Sequence, residues 1–151
     1  MTTTHSRRFI RAPRAAVYRA LLDADAVRQW MVPDTMTSEI HAFEGWQGGT
    51  FRISLTYDDP SGTGKTAART DTFHGTFVDL VPDAKVVQTV EFETDDPGLR
   101  GEMTITYELV EAAGGTEIVG RHENLPPGVA PEDNELGTRM SMDKLARLVE
   151  G

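Results

Sequence analysis

Between residues 37 and 125 apolar and polar positions alternate with a period of two, while the flanking segments repeat with a helical period. Alternation of this kind marks half-buried strands, and recurrence at three and four marks one face of a helix. The spacing predicts a short first strand over Arg8–Arg11 and a frayed end before it that holds His5. Pro13 then opens a helix at the first-turn position, where a missing N–H costs nothing. That helix carries Val17, Leu21 and Leu22, flanked by Tyr18. Asp23 and Asp25 punctuate the run. A second short helix bears Val27, Trp30 and Met31 before Pro33 ends it.

Strands follow over Ser38–Glu44 and Thr50–Tyr57, joined by a turn from Gly45 to Gly49 whose glycines permit positive φ. Phe51, Ile53, Leu55 and Tyr57 share one face of the second of them. In Thr70–Leu80, Phe73 and Phe77 share a face, with Gly75 between them as a bulge or a point of close approach. A turn at Pro82-Asp83 leads into Lys85–Glu93, where Val86, Gln88, Val90 and Phe92 align. After a turn at residues 95–98, Met103, Ile105, Tyr107 and Leu109 line the next strand. Ile118, Gly120 and His122 line the last.

From Pro131 the spacing is helical again, with Thr138, Ser141, Met142, Leu145, Leu148 and Val149 on one side. Arg139, Asp143, Arg147 and Glu150 take the other. A helix of about 18 residues is roughly 27 Å long, enough to cross a sheet. The predicted class is therefore α+β, with a bent antiparallel sheet of about seven strands around a long C-terminal helix and a short helix pair after the first strand. One helix does not fill the whole hollow of so wide a sheet, so the order of elements predicts a cavity.

Composition narrows what that cavity serves. Hydrophobic residues make up only 38% of the chain, and 14 glycines with 8 prolines suit strands and turns better than a bundle. No internal repeat or linker divides residues 1–151, which are expected to form a single domain. The formal net charge is −9. An acidic surface with scattered basic residues repels phosphate backbones and anionic lipid, which argues against a nucleic-acid partner. No apolar run approaches the roughly 20 residues of a membrane span, so membrane insertion is not expected. Arg7-Arg8 is not followed by a signal-length apolar run, and cysteine is absent. A cytoplasmic location is the expectation from both.

Candidate chemistry is sparse. Gly62-Thr63-Gly64-Lys65-Thr66 reads like the end of a phosphate-binding loop. Asp59 occupies the position of its first glycine, and a strand rather than a helix follows, so a polar hairpin tip is the better reading. The histidines His5, His41, His74 and His122 lack metal-ligand spacing, and no metal or cofactor is expected. No serine sits in a nucleophile elbow. His122 shares the concave face with Ile118, where it serves either as an acid or base or as a hydrogen-bonding group inside the core.

Across nearly its whole length the chain resembles the START/Bet-v-type (SRPBCC) superfamily, and within it small proteins similar to the C-terminal domain of the Aha-type activator of the heat-shock chaperone ATPase. The run from Ile10 to Leu22 with Trp30 to Pro33 looks like the family's opening helix pair. Trp46 to Phe51 resembles its Gly-Gly-x-Phe hairpin. Gly75 to Pro82 with Lys85 to Val90 resembles its central strand pair, and Asn134 to Glu150 its closing helix. Two departures stand out: Thr138 and Met31 occupy positions where many relatives carry tryptophan, and both are expected to face the cavity.

The resemblance implies a helix-grip fold with a hydrophobic tunnel between sheet and helix. The leading expectation is a binding module for a small apolar or amphipathic ligand. Its expected lining is Trp30, Phe51, Ile53, Phe73, Phe77, Gln88, Phe92, Met103, Tyr107, His122, Met142 and Leu145. Within that set Gln88, Tyr107 and His122 are the orienting polar groups. Two other expectations are carried beside it. One is a cyclase- or hydrolase-type enzyme that uses His122 in the same cavity. The other is an interaction domain with a chaperone partner.

Overall fold

A computed structural model describes residues 2–32, 36–57 and 70–150. Seven antiparallel strands form one sheet: β1 (Thr4–Ile10), β2 (Met36–Phe43), β3 (Thr50–Tyr57), β4 (Thr70–Val81), β5 (Lys85–Phe92), β6 (Met103–Ala112) and β7 (Gly115–Glu123). Their order across the sheet is β1-β7-β6-β5-β4-β3-β2, so only β1 departs from its sequence neighbour. Helices α1 (Arg14–Leu22) and α2 (Ala24–Trp30) connect β1 to β2. The long helix α3 (Pro131–Glu150) closes the chain over the concave face. The curled sheet around a C-terminal helix is the predicted helix-grip fold. The Pro33 stop and the Gly62–Thr66 tip lie outside the described residues.

Strand β1 begins earlier than the apolar pattern suggests. It pairs with β7 from Thr4↔His122 to Ile10↔Thr116, which puts His5 in a strand opposite Arg121 rather than in a frayed end. Thr4 and Ser6 are buried. These short polar side chains face inward, so no apolar signal announced them. Arg11 leaves the strand, and its N–H donates to Glu150 Oε2 at 2.9 Å. Pro13 stands at the N-cap of α1, one position before the first turn. Helix α2 is capped by Asp23, whose carboxylate accepts from the Ala26 N–H at 3.3 Å, satisfying one of the helix's unpaired donors.

Gly75 is a close-approach residue. A Cβ there would lie 2.0 Å from the Thr89 carbonyl oxygen and 2.5 Å from the Phe51 ring. The bulge of β4 comes later, as a register shift between Phe77 and Asp79. Beside it the β2–β3 loop is pinned to β4: Gly48 N–H donates to Phe77 O at 2.8 Å, and Phe77 N–H to Gly49 O at 2.9 Å.

The buried stripe of α3 is Thr138, Met142, Leu145 and Ala146. Leu148, expected inside, is exposed. Ala146 is buried instead, and Leu148 stands about 60° around the helix beyond Leu145, the edge of the buried stripe. The C-terminal half of α3 is tied to its surroundings by polar links. Arg8 Nε donates to Asp143 Oδ1 at 2.8 Å, and Lys144 Nζ donates to the Val32 carbonyl at 2.8 Å.

Candidate functional site

A cavity of about 440 Å³ lies between the concave sheet and the N-terminal half of α3. Volumes of 300–1,000 Å³ are those of small-molecule sites. Phe73, Val90, Ile105 and Tyr107 lie on the sheet side, and Trp30, Met31 and Met36 close one flank. The β7–α3 loop contributes Gly128, Val129 and Ala130, and α3 contributes residues from Asp133 to Met142. That loop is held by its neighbour, since Gly128 N–H donates to the Gly98 carbonyl at 2.5 Å. Every methionine among the described residues lines the space: Met31, Met36, Met103, Met140 and Met142. Unbranched thioether chains adapt to different shapes, which is why methionine is frequent on surfaces that take varied ligands.

Of the expected lining, Trp30, Phe73, Gln88, Phe92, Met103, Tyr107, His122 and Met142 do border the cavity. Phe51, Ile53, Phe77 and Leu145 do not; they are 2%, 1%, 1% and 0% exposed within the solid core. The physical reason is that rings plug one end of the curled sheet. Phe51 and Phe77 meet at a tilt of 49° with centroids 5.1 Å apart, and Phe43 meets Phe77 edge-on at 5.6 Å. Leu145 falls past the cavity, in the half of α3 that packs against β1 and the helix pair. Met31 and Thr138 face the space as expected.

Sequence reasoning passed over Leu55, Tyr57, Val90 and Ile105, although each shares strand parity with a residue it did choose. Asn134 and Asp133 gave no signal, because their role depends on where the first turn of α3 lands. Asp71, buried and on the lining, likewise sits at the end of β4 beside residues that are not described.

Close approach of helix and sheet depends on Gly120. A Cβ there would lie 2.8 Å from the Met142 methyl. The polar groups of the cavity are ordered by register. Thr4 pairs with His122, His122 with Ile105, and Ile105 with Gln88. His122 and Gln88 therefore flank Ile105 two strand spacings apart, roughly 10 Å. His122 Nδ1 lies 3.0 Å from the Asn134 amide nitrogen, and Asn134 Oδ1 accepts from the Thr4 hydroxyl at 2.6 Å. His122 Nε2 is buried with no hydrogen-bond partner among the described residues. Burial lowers the His122 pKa to about 4 and pushes the Tyr107 hydroxyl up to about 12, because desolvation disfavours the charged form of each.

The remaining histidines lie away from the cavity. His41 Nε2 is 2.8 Å from Ser54 Oγ, which is itself 2.8 Å from Thr72 Oγ1. Glu39 Oε2 stands 3.4 Å from His41 Nδ1. The order carboxylate, imidazole, hydroxyl is that of a nucleophile relay, but Ser54 is buried and its oxygen is shared with Thr72. His74 joins Arg52 on the Glu93 carboxylate, with Arg52 donating to both oxygens at 2.8 and 2.9 Å. No helix among the described residues is long and apolar enough to cross a membrane.

Several solved structures share this architecture. A protein from Chromobacterium violaceum is 29% identical, with a TM-score of 0.87, 99% of this chain covered and 97% of that one. A protein from Rhodobacter sphaeroides is 20% identical, with a TM-score of 0.79 and coverage of 97% and 91%. An AHSA1-like protein from Aeromonas hydrophila is 18% identical, with a TM-score of 0.71 and coverage of 99% and 92%. No curated protein sequence matches the chain. Residues 11–150 match the family described as Activator of Hsp90 ATPase homolog 1-like protein. The chain thus belongs to the AHSA1-like family of the SRPBCC superfamily.

Proposed function

We propose that the protein binds a small apolar or amphipathic molecule in the cavity between the sheet and α3. The observation that carries this reading is the cavity itself: about 440 Å³, lined by aromatic and methionine side chains, with His122, Tyr107 and Gln88 among the polar residues on its border. Folds of this superfamily commonly bind ligands. Covering 200 Å² of apolar ligand surface contributes about 5 kcal/mol before the costs of association. The neutral fluorophore N-phenyl-1-naphthylamine tests this. Saturable fluorescence enhancement that is lost in Thr138→Trp supports the reading, and no enhancement at the solubility limit of the dye counts against it.

The enzyme reading uses the same pocket, and the placement of His122 on its lining is what favours it. An imidazole with a pKa of about 4 is neutral at pH 7, so it has no imidazolium proton to give as a general acid, and it is a weak base. Binding is accordingly the better account of the geometry. The chaperone-partner reading rests on the family description and the acidic charge, and predicts capture of the chaperone that survives high salt.

A further inference from the structure

The ligand can be narrowed by asking which proton His122 holds, a step that rests on the binding role proposed above. The Asn134 carboxamide has one oxygen and one nitrogen, and the oxygen is committed to the Thr4 hydroxyl at 2.6 Å. Its nitrogen therefore faces His122 Nδ1 at 3.0 Å and donates to it. A neutral imidazole whose Nδ1 accepts carries its single proton on Nε2. That Nε2 is the buried side-chain nitrogen left without a partner among the described residues, and its ring lines the cavity. Burial keeps the ring neutral well below pH 7, so the group presents an N–H rather than a cation. A buried donor without an acceptor costs about as much as a lost hydrogen bond, which a bound acceptor would restore.

The charges of the lining point the same way. Among the described residues it contains no lysine or arginine, and its two ionisable carboxyls, Asp71 and Asp133, are acidic. A ligand carboxylate would find no countercharge among the described lining residues. We infer that the cavity selects a neutral, largely apolar molecule bearing a carbonyl oxygen that accepts a hydrogen bond from His122 Nε2–H, and that it discriminates against anionic analogues of the same shape.

Three compounds of similar shape separate the possibilities in competition with N-phenyl-1-naphthylamine: benzophenone, diphenylmethane and diphenylacetate. The ketone is expected to bind about tenfold more tightly than the hydrocarbon, with the carboxylate weakest. In His122→Phe that preference disappears while the hydrocarbon still binds. In parallel, 15N spectra of histidine-labelled protein at pH 7, assigned with His122→Gln, should show His122 as the Nε2–H tautomer. Asn134→Asp replaces the donor at Nδ1 by an acceptor and should move the proton to Nδ1, with loss of the ketone preference. Equal binding of ketone and hydrocarbon, strongest binding of the carboxylate, or an unprotonated Nε2 overturns the donor assignment alone. Failure of all three compounds and of the dye overturns the binding role beneath it as well.

Discussion

Trp30 meets Tyr107 edge-on, with ring centroids 6.2 Å apart and planes at 83°. The contact joins the end of α2 to the concave face of β6 and closes one flank of the cavity. Trp30 is 1% exposed, and its indole N–H donates to the Ala20 carbonyl at 2.9 Å, so the ring is fixed by a polar and an apolar anchor at once. Trp30→Phe removes the donor and part of the ring volume and should cost about 1–3 kcal/mol. Trp30→Ala also empties the site and should cost about 3–5 kcal/mol. Chemical denaturation of the two variants checks the order.

Two glycines give opposite expectations from the same substitution. At Gly75 an added methyl runs into the Thr89 carbonyl, which is backbone within the β4–β5 ladder and cannot yield. At Gly120 the nearest atom is the Met142 terminal methyl, the far end of a flexible chain. Gly75→Ala should lose about 2–3 kcal/mol or more, and Gly120→Ala less than about 1 kcal/mol with weaker dye binding as Met142 swings into the cavity. Melting temperatures and dye titrations of both variants measure this.

The pH dependence of stability carries the signature of His122. Its pKa is about 4 in the fold against about 6.5 in the unfolded chain. Between these values the unfolded state binds more protons, so the contribution is complete above about pH 6.5 and is lost as pH falls toward 4. The total is about 3 kcal/mol. Asp71, Asp133 and Tyr107 line the same cavity, and Asn134 touches the ring. Glu93, away from the cavity, is held below the usual carboxylate range by the Arg52 hydrogen bond. The difference between wild type and His122→Gln isolates the imidazole: the variant should show the flatter curve from pH 6.5 to 4.

Thr138 is the position at which size decides cavity volume. It lies on the lining, with its hydroxyl donating back to the Asn134 carbonyl at 2.8 Å. An indole there would project into the space that Thr138 leaves open. Thr138→Trp should fold with a melting temperature within about 4 °C of wild type and lose at least about tenfold in affinity for N-phenyl-1-naphthylamine.

Strand alternation and the helical ends made the fold legible, because burial on one face imposes the period directly. The lining was legible only by face and not by depth. Phe51, Ile53 and Phe77 have the same parity as Leu55 and Phe73, yet they belong to the packed end of the sheet, where Phe51 and Phe77 are themselves part of the ring cluster that plugs it. Which end of a curled sheet is plugged depends on curvature and on where α1 and α2 land, and no local period encodes that. The Thr4–Asn134–His122 chain was invisible for a similar reason: it joins β1, β7 and α3 across 130 sequence positions. Its members look like ordinary polar residues until the register brings them together.

The central claim is that this cavity accepts a ligand, and methionine methyl NMR reads it most directly. With 13C-methyl-methionine protein titrated with N-phenyl-1-naphthylamine, the signals of Met31, Met36, Met103, Met140 and Met142 should shift together and saturate. Unmoved Met103 and Met142 signals at saturating dye would contradict the account.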